Sequence, residues 1–359
     1  MSYLGLTHSK NKLFENSFVP MKQVKMKAIV LKGFGGTENF EFTEDIAVPE
    51  VGPEDVLVKI EATAFNPIDY QMRKGMPESN RIHSPVLGRE FSGIVVSVGA
   101  AVTRFIPGQA VFAGSGSMGS NGTYAEYIVV PESILALKPR NISFQEAAAI
   151  PVVYLTALQI LDRLPLDPTP SILLTGAAGG VGLSLMKLLL AGGHTNLVLT
   201  AGNPKSQDVL IANGASASQI VDYHHEDLAQ LVLIKNQGAP FDVCIDLVGL
   251  EMSELCAQVI RVNGSYADVT AFETAKARSD FFDKGATVYH ISNYAYSLSG
   301  NFKWYGAQLD RIAEMMENKS ITAPPILLFE SFSTQSVADA HRILEENNTN
   351  GKKIVMNIY

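Results

Sequence analysis

Two rhythms of apolar residues divide the chain. Between Met26 and Phe112 they come in short runs, Lys27–Leu31, Asp55–Ala62, Ser92–Val98 and Ala110–Phe112, each apolar or alternating and set apart by Gly or Pro, which predicts a mainly β domain. Helical spacing takes over from Gln145 to Leu164. Beyond Ser171 short apolar runs alternate with helical segments: Ile172–Thr175, Asn196–Thr200, Ile220–Tyr223 and Phe241–Gly249 read as strands, as does Thr287–Ser292. That alternation predicts a parallel, doubly wound sheet. Leu309–Glu317 and Val337–Glu346 have helical periodicity, and Lys353–Ile358 reads as a terminal strand returning to the first domain.

The junction after Thr175 is the most informative. Leu183, Met186, Leu189 and Leu190 recur at helical spacing, and between strand and helix lies Ala177-x-Gly179-x-x-Gly182, with Gly180 and Val181 inside it. Small residues there permit a tight turn, close backbone approach to a pyrophosphate and packing of helix on sheet, while free N–H groups at the helix start face the anion. With a strand before and a helix after, the segment reads as a dinucleotide site. An NAD-preferring site places Asp or Glu on the ribose about 20 residues further on. Here the second strand runs into Ala201, Gly202 and Asn203, and Lys205 follows. The missing acid, more than the lysine, favours NADP(H). Alone, Lys205 reads equally as a solvated lysine at a helix start.

Composition narrows the classes. The 359 residues exceed one usual core, so two domains are expected. With 47% apolar and 18% charged residues the chain is globular, and a net charge of −8 argues against nucleic acid and anionic membranes. No run is long and apolar enough for a membrane span. Cys244 and Cys256 are too few for a disulfide framework and lack metal-ligand spacing, which fits a reducing cytoplasm. Residues 1–25 mix Lys10, Lys12, Lys22 and Lys25 with polar residues and read as a surface extension.

Several segments in order resemble the medium-chain dehydrogenase/reductase superfamily and its zinc-independent quinone oxidoreductase branch: Met26–Val30, Asn66-Pro-Ile-Asp69, Gly88–Gly99, Pro107–Val111, Ala148–Leu158, the glycine turn, Gly214-Ala215 and Gly351-Lys352. The resemblance implies a mainly β, GroES-like catalytic domain over 26–151 and 292–359, and a Rossmann domain over 152–291. Zinc alcohol dehydrogenases place Cys where this chain has Asn66, His where it has Arg89, and a further ligand near Val152 and Val153, so the resemblance implies no zinc.

The resemblance also implies site roles. Asn66 and Asp69 border the substrate cleft, Asn66 donating to an acceptor oxygen and Asp69 orienting the loop; a purely structural Asp69 is equally compatible. The branch often carries Tyr two places after that Asp, where this chain has Gln71, with Tyr70 one place early. Arg89 replaces a small residue: it would bind an anionic substrate group or the cofactor, or pair with Glu90 or another acid, and pairing is the preferred expectation. Thr156 falls near the nicotinamide, Tyr223 beside the adenosine, Val248 and Gly249 under the nicotinamide ribose, and Lys352 in a loop approaching the cleft. Tyr223 reads equally as a half-buried strand aromatic. The implied activity is NADPH-dependent reduction of a quinone or related conjugated carbonyl. Alternatives are an alkene or enoyl reductase, an NADPH-binding protein with negligible turnover, and a zinc alcohol dehydrogenase. A homodimer through the Thr287–Ser292 edge is implied as well.

Overall fold

Residues 24–166 and 170–359 are described by a computed structural model. Most of the extension expected over 1–25 therefore lies outside the described residues, and Lys25 already opens the first strand.

In chain order the strands are β1 (Lys25–Leu31), β2 (Phe40–Ala47), β3 (Asp55–Ala64), β4 (Glu90–Val98), β5 (Ala110–Gly114), β6 (Tyr127–Pro131) and β7 (Ala136–Leu137). Next come β8 (Ile172–Thr175), β9 (Leu197–Thr200), β10 (Ile220–Val221), β11 (Phe241–Asp246), β12 (Ile260–Asp268) and β13 (Thr287–His290), and last β14 (Ile326–Phe329) and β15 (Lys353–Asn357). β1 and β2 form an antiparallel pair. A second sheet runs β14-β15-β3-β4-β5-β7, with β6 also on β3. The third, β10-β9-β8-β11-β12-β13, is parallel at every pairing. The chain is thus a mixed α/β protein, its doubly wound parallel sheet joined to a mainly β part.

The parallel sheet is buried on both faces. Ile172 and Leu174 of β8 join one apolar cluster and Leu173 between them joins another, as the two-residue period of a strand requires. The first cluster crosses between the two parts through the helix Pro151–Arg163, whose Tyr154, Leu155 and Leu158 are buried. The helical run from Gln145 to Leu164 is two helices: Phe144–Ala148 ends, and Pro151 restarts the chain at the first turn of the next. Lys187 on the helix Gly180–Ala191 reaches Thr322 O, Thr322 Oγ1 and Ala323 O at 3.1, 2.9 and 3.1 Å, and burial pulls its ammonium down to about 8. Tyr154 Oη donates to the same Thr322 carbonyl at 2.7 Å.

Candidate functional site

Close packing shapes the glycine turn. A Cβ on Gly182 would lie 2.5 Å from Gly176 O and 2.6 Å from Ala177 O, so only glycine lets the helix start sit against the end of β8. Gly179 is the N-cap of Gly180–Ala191 and no side chain caps that helix, so its first N–H groups point outward without a side-chain acceptor. Val181 is half-buried beside them and Ala177 is fully buried below. Thr175 Oγ1 donates to the buried Asp246 Oδ1 at 2.6 Å, and that carboxylate also accepts from Val248 N, Gly249 N and Tyr266 Oη at 2.9, 3.0 and 3.0 Å. The ends of β8 and β11 are held as one rim, with Val248 46% exposed on it.

At the far end of this rim β9 stops at Thr200. Asn203 caps the helix Pro204–Ala212, accepting from Ser206 N at 2.9 Å, and Lys205 is exposed in its first turn. The Tyr223 ring lies over Gly202, where a Cβ would come within 2.2 Å of its Cζ. Asp222, the acid beside it, is engaged by His224 at 2.9 Å.

The other end is built by residues far apart in sequence. Lys353 of β15 is buried and sends Nζ to Phe65 O (2.7 Å), Asn66 Oδ1 (2.6 Å) and Glu90 Oε1 (2.7 Å), which uses all three of its N–H donors. Asn66 Nδ2 donates to the same Glu90 oxygen at 2.8 Å, and Glu90 Oε2 accepts from Val152 N at 2.7 Å. The Asn66 amide is therefore committed on both ends, with one Nδ2 hydrogen left for any acceptor. Asp69 Oδ2 accepts from Asn66 N at 2.8 Å, tying down the helix Pro67–Arg73, while Oδ1 is buried without a partner. Burial pushes the Asp69 carboxyl up to about 7, against the Asn66 N–H and the Arg89 and Lys353 cations. Behind it, Tyr124 Oη meets His341 Nε2 at 3.2 Å, and Arg73 Nε donates to His341 Nδ1 at 3.3 Å and pairs with Glu345. Burial, then Arg73, drives His341 down to about 3, so the ring is neutral.

Arg89 does not pair with Glu90, contrary to the preferred expectation. Neighbouring residues at a strand start point to opposite faces, and Glu90 is taken by Lys353 and Asn66. The Arg89 Nη1 instead touches Met72 Sδ at 3.6 Å. Thr156 is buried, its Oγ1 donating to Val152 O at 2.8 Å and accepting from Asn293 Nδ2 at 2.9 Å, while Asn293 Oδ1 is buried and orphaned. Tyr70 and Gln71 are half-buried on the helix after Asn66, with the Lys74 ammonium 5.9 Å from the Tyr70 ring. Lys352 is exposed. Its neighbour Lys353 enters the site, and its Cδ lies 3.7 Å from where a Cβ on Gly180 would be, so it also touches the glycine turn. Lys353, Tyr124 and His341 carry no local motif in the sequence, and Glu90 stands in Gly-Arg-Glu-Phe as one of the acids available to Arg89.

A dinucleotide fits these residues. The uncapped helix start suits a pyrophosphate, and the orphaned Asn293 Oδ1 is an acceptor that a carboxamide N–H would satisfy. Zinc does not fit the Asn66 region, where the Lys353 ammonium already occupies Asn66 Oδ1 and Glu90 Oε1. Among the described residues no three His, Cys, Asp or Glu side chains gather as a metal site, and no helix is long and apolar enough to cross a membrane.

Residues 52–140 match the alcohol dehydrogenase GroES-like domain family, and residues 215–355 match the family described as zinc-binding dehydrogenase. The NADPH-dependent alkenal/one oxidoreductase, chloroplastic, of Arabidopsis thaliana is 29% identical over 92% of this chain and 79% of its own. The quinone oxidoreductase of Sus scrofa is 26% identical over 93% of this chain and 98% of its own. Among solved structures, the Pseudomonas syringae quinone oxidoreductase superposes with a TM-score of 0.79 at 27% identity, covering 92% of this chain and 99% of that one.

Proposed function

Because the chain belongs to the medium-chain dehydrogenase/reductase superfamily and is an oxidoreductase using a nicotinamide cofactor, we propose that it is an NADPH-dependent reductase of quinones and related conjugated carbonyls that works without zinc. The observation that carries this reading is the Lys353 ammonium 2.6 Å from Asn66 Oδ1. That ammonium already occupies Asn66 Oδ1 and Glu90 Oε1, the oxygens a metal ion would need there.

Bound on the glycine turn, the reduced nicotinamide supplies a hydride. The chain's residues do the rest. Gly179, Gly180, Val181 and Gly182 would hold the pyrophosphate through backbone N–H groups, with Ala177 leaving room below. Lys205 would meet the 2′-phosphate and Tyr223 would flank the adenosine, while Thr156, Val248 and Gly249 would border the nicotinamide and its ribose. The remaining Nδ2 hydrogen of Asn66 is the donor for an acceptor oxygen on which negative charge develops. Glu90 and Lys353 orient that amide, and Asp69 fixes the backbone that carries it.

Incubating purified protein with NADPH or NADH and a panel of quinones and enones, following loss of cofactor absorbance, tests this directly. NADPH oxidation by quinones in metal-free protein is the expected result. Strict dependence on a tightly held zinc, or no oxidation of either cofactor, overturns it. A second reading, reduction of an activated C=C bond, is favoured by the alkenal/one oxidoreductase relative and is decided by which half of the panel turns over faster. The homodimer would form at β13, which ends the parallel sheet and is mostly exposed; light scattering checks it.

A further inference from the structure

Two neighbouring arginines, Arg81 and Arg89, form no ion pair among the described residues. Arg81 and Arg89 line one small cavity together with Met72, Ile82 and Gly116. Among the described residues neither joins a carboxylate ion pair, whereas Arg73 holds Glu345 and Arg104 holds Asp310. Arg81 stacks its guanidinium 4.2 Å above the Tyr294 ring, and Arg89 has only the Met72 sulfur at 3.6 Å. The groups that face Arg89 are Asp69, Arg81, Tyr305 and Tyr294. Asp69, the one acid among them, forms no ion pair with either arginine, so two guanidinium charges stand against one carboxylate. Glu90 is neutralised by Lys353, so the local balance is positive.

With the cofactor placed as proposed above, this pair lies beside the hydride-transfer end of the cleft. Thr156 is bonded to Asn293, Tyr305 Oη donates to Asn293 O, and Tyr294 follows in sequence. The chain of contacts from nicotinamide side to guanidinium thus passes through only two residues. The cavity measures about 20 Å³, room for a group the size of one or two waters and not for a ring. Two half-buried guanidiniums brought together without an ion pair attract an anion, and a planar fork of N–H donors matches a carboxylate.

We propose that Arg89, backed by Arg81, is a specificity determinant that binds a carboxylate on the acceptor, so that the preferred substrate is a conjugated carbonyl bearing an acidic arm. The proposal rests on the reductase reading for its chemistry: hydride adds at the β-carbon, a solvent proton adds at the α-carbon, and the carboxylate is a handle that leaves unchanged. Recognition of the handle is independent of turnover.

The test uses the full chain, (E)-4-oxopent-2-enoate and its methyl ester as paired acceptors, and the saturated 4-oxopentanoate as a non-reacting probe in calorimetry with NADP+ present. Wild type is expected to favour the acid over the ester by about tenfold or more in kcat/KM. In Arg89→Gln and, more mildly, Arg81→Gln, that ratio collapses towards one through KM, while Arg89→Lys retains part of it. Binding of 4-oxopentanoate weakens by a similar factor in Arg89→Gln. A merely structural Arg89 would lower both substrates together and leave the ratio intact, which overturns the proposal, as does a wild-type ratio near one. If neither acceptor is reduced, the reductase reading fails by itself, and calorimetry still decides: 4-oxopentanoate bound by wild type and weakened about tenfold or more in Arg89→Gln upholds the arginine site, and no binding, or binding unchanged in that variant, ends it.

Discussion

Lys353 Nζ stands 2.7 Å from Glu90 Oε1 with both side chains buried, an ion pair that joins the last strand to β4 across 263 positions of sequence, counted from residue 90 to residue 353. Its Asn66 and Phe65 contacts make it the hub of the cleft wall. Replacing Lys353 by Met strands a buried carboxylate and should destabilise the protein by about 3–5 kcal/mol. The double variant with Glu90→Gln should recover part of that loss, as read by urea unfolding. Additive losses would show that the two side chains do not act as a pair.

Gly182 is a steric prediction. Gly182→Ala forces a methyl against two carbonyl oxygens and should cost about 1–3 kcal/mol. The displaced helix start should also weaken NADPH binding by about tenfold or more, measured by nucleotide fluorescence. Unchanged binding would place the pyrophosphate elsewhere.

Cofactor choice can be tested without disturbing the fold. Asn203→Asp preserves the helix cap, since Asp accepts from Ser206 N as well as Asn does. It adds a negative charge where β9 gives way to the following helix. The NADPH-to-NADH ratio of kcat/KM should fall by about tenfold, and Lys205→Ala should move it the same way. Thermal melting should stay near wild type in both.

Asp69 and His341 pull stability in opposite directions with pH. Asp69 is raised in the folded state to about 7, so its share is intact below about pH 4 and is lost as pH rises through 7. His341 is depressed to about 3, so its share is intact above about pH 6.5 and is lost on acidification through that window. Between about pH 4 and 6.5 the slopes oppose each other. Asp69→Asn should unmask the His341 slope, giving stability that climbs with pH there, and should gain on wild type towards pH 8. Denaturant midpoints across pH 4–8 measure both. A variant that parallels wild type throughout would remove Asp69 from the account.

The glycine turn was legible because its constraint is local: strand, small residues and helix follow each other within a dozen positions, and the backbone tolerates nothing larger. The parallel sheet was legible for the same reason. β2 is not legible because half of its residues are exposed and it pairs only with β1, so its pattern resembles a loop. The wall of the cleft was the hardest part. Lys352 and Lys353 are indistinguishable in sequence, and only the pairing of β15 with β3 and β14 decides which one is buried. His341 belongs to an amphipathic helix and becomes a neutral buried ring through Tyr124 and Arg73, hundreds of positions away.

The pairing of β15 with β3 is costly in chain entropy. Val355 meets Ala64 across nearly the whole chain and so carries a large loop-closure cost, whereas β8 to β13 lie contiguously within 172–290 and close shorter loops. The parallel sheet thus draws on local contacts, whereas the wall that carries Lys353 is complete only once the last strand has paired with β3.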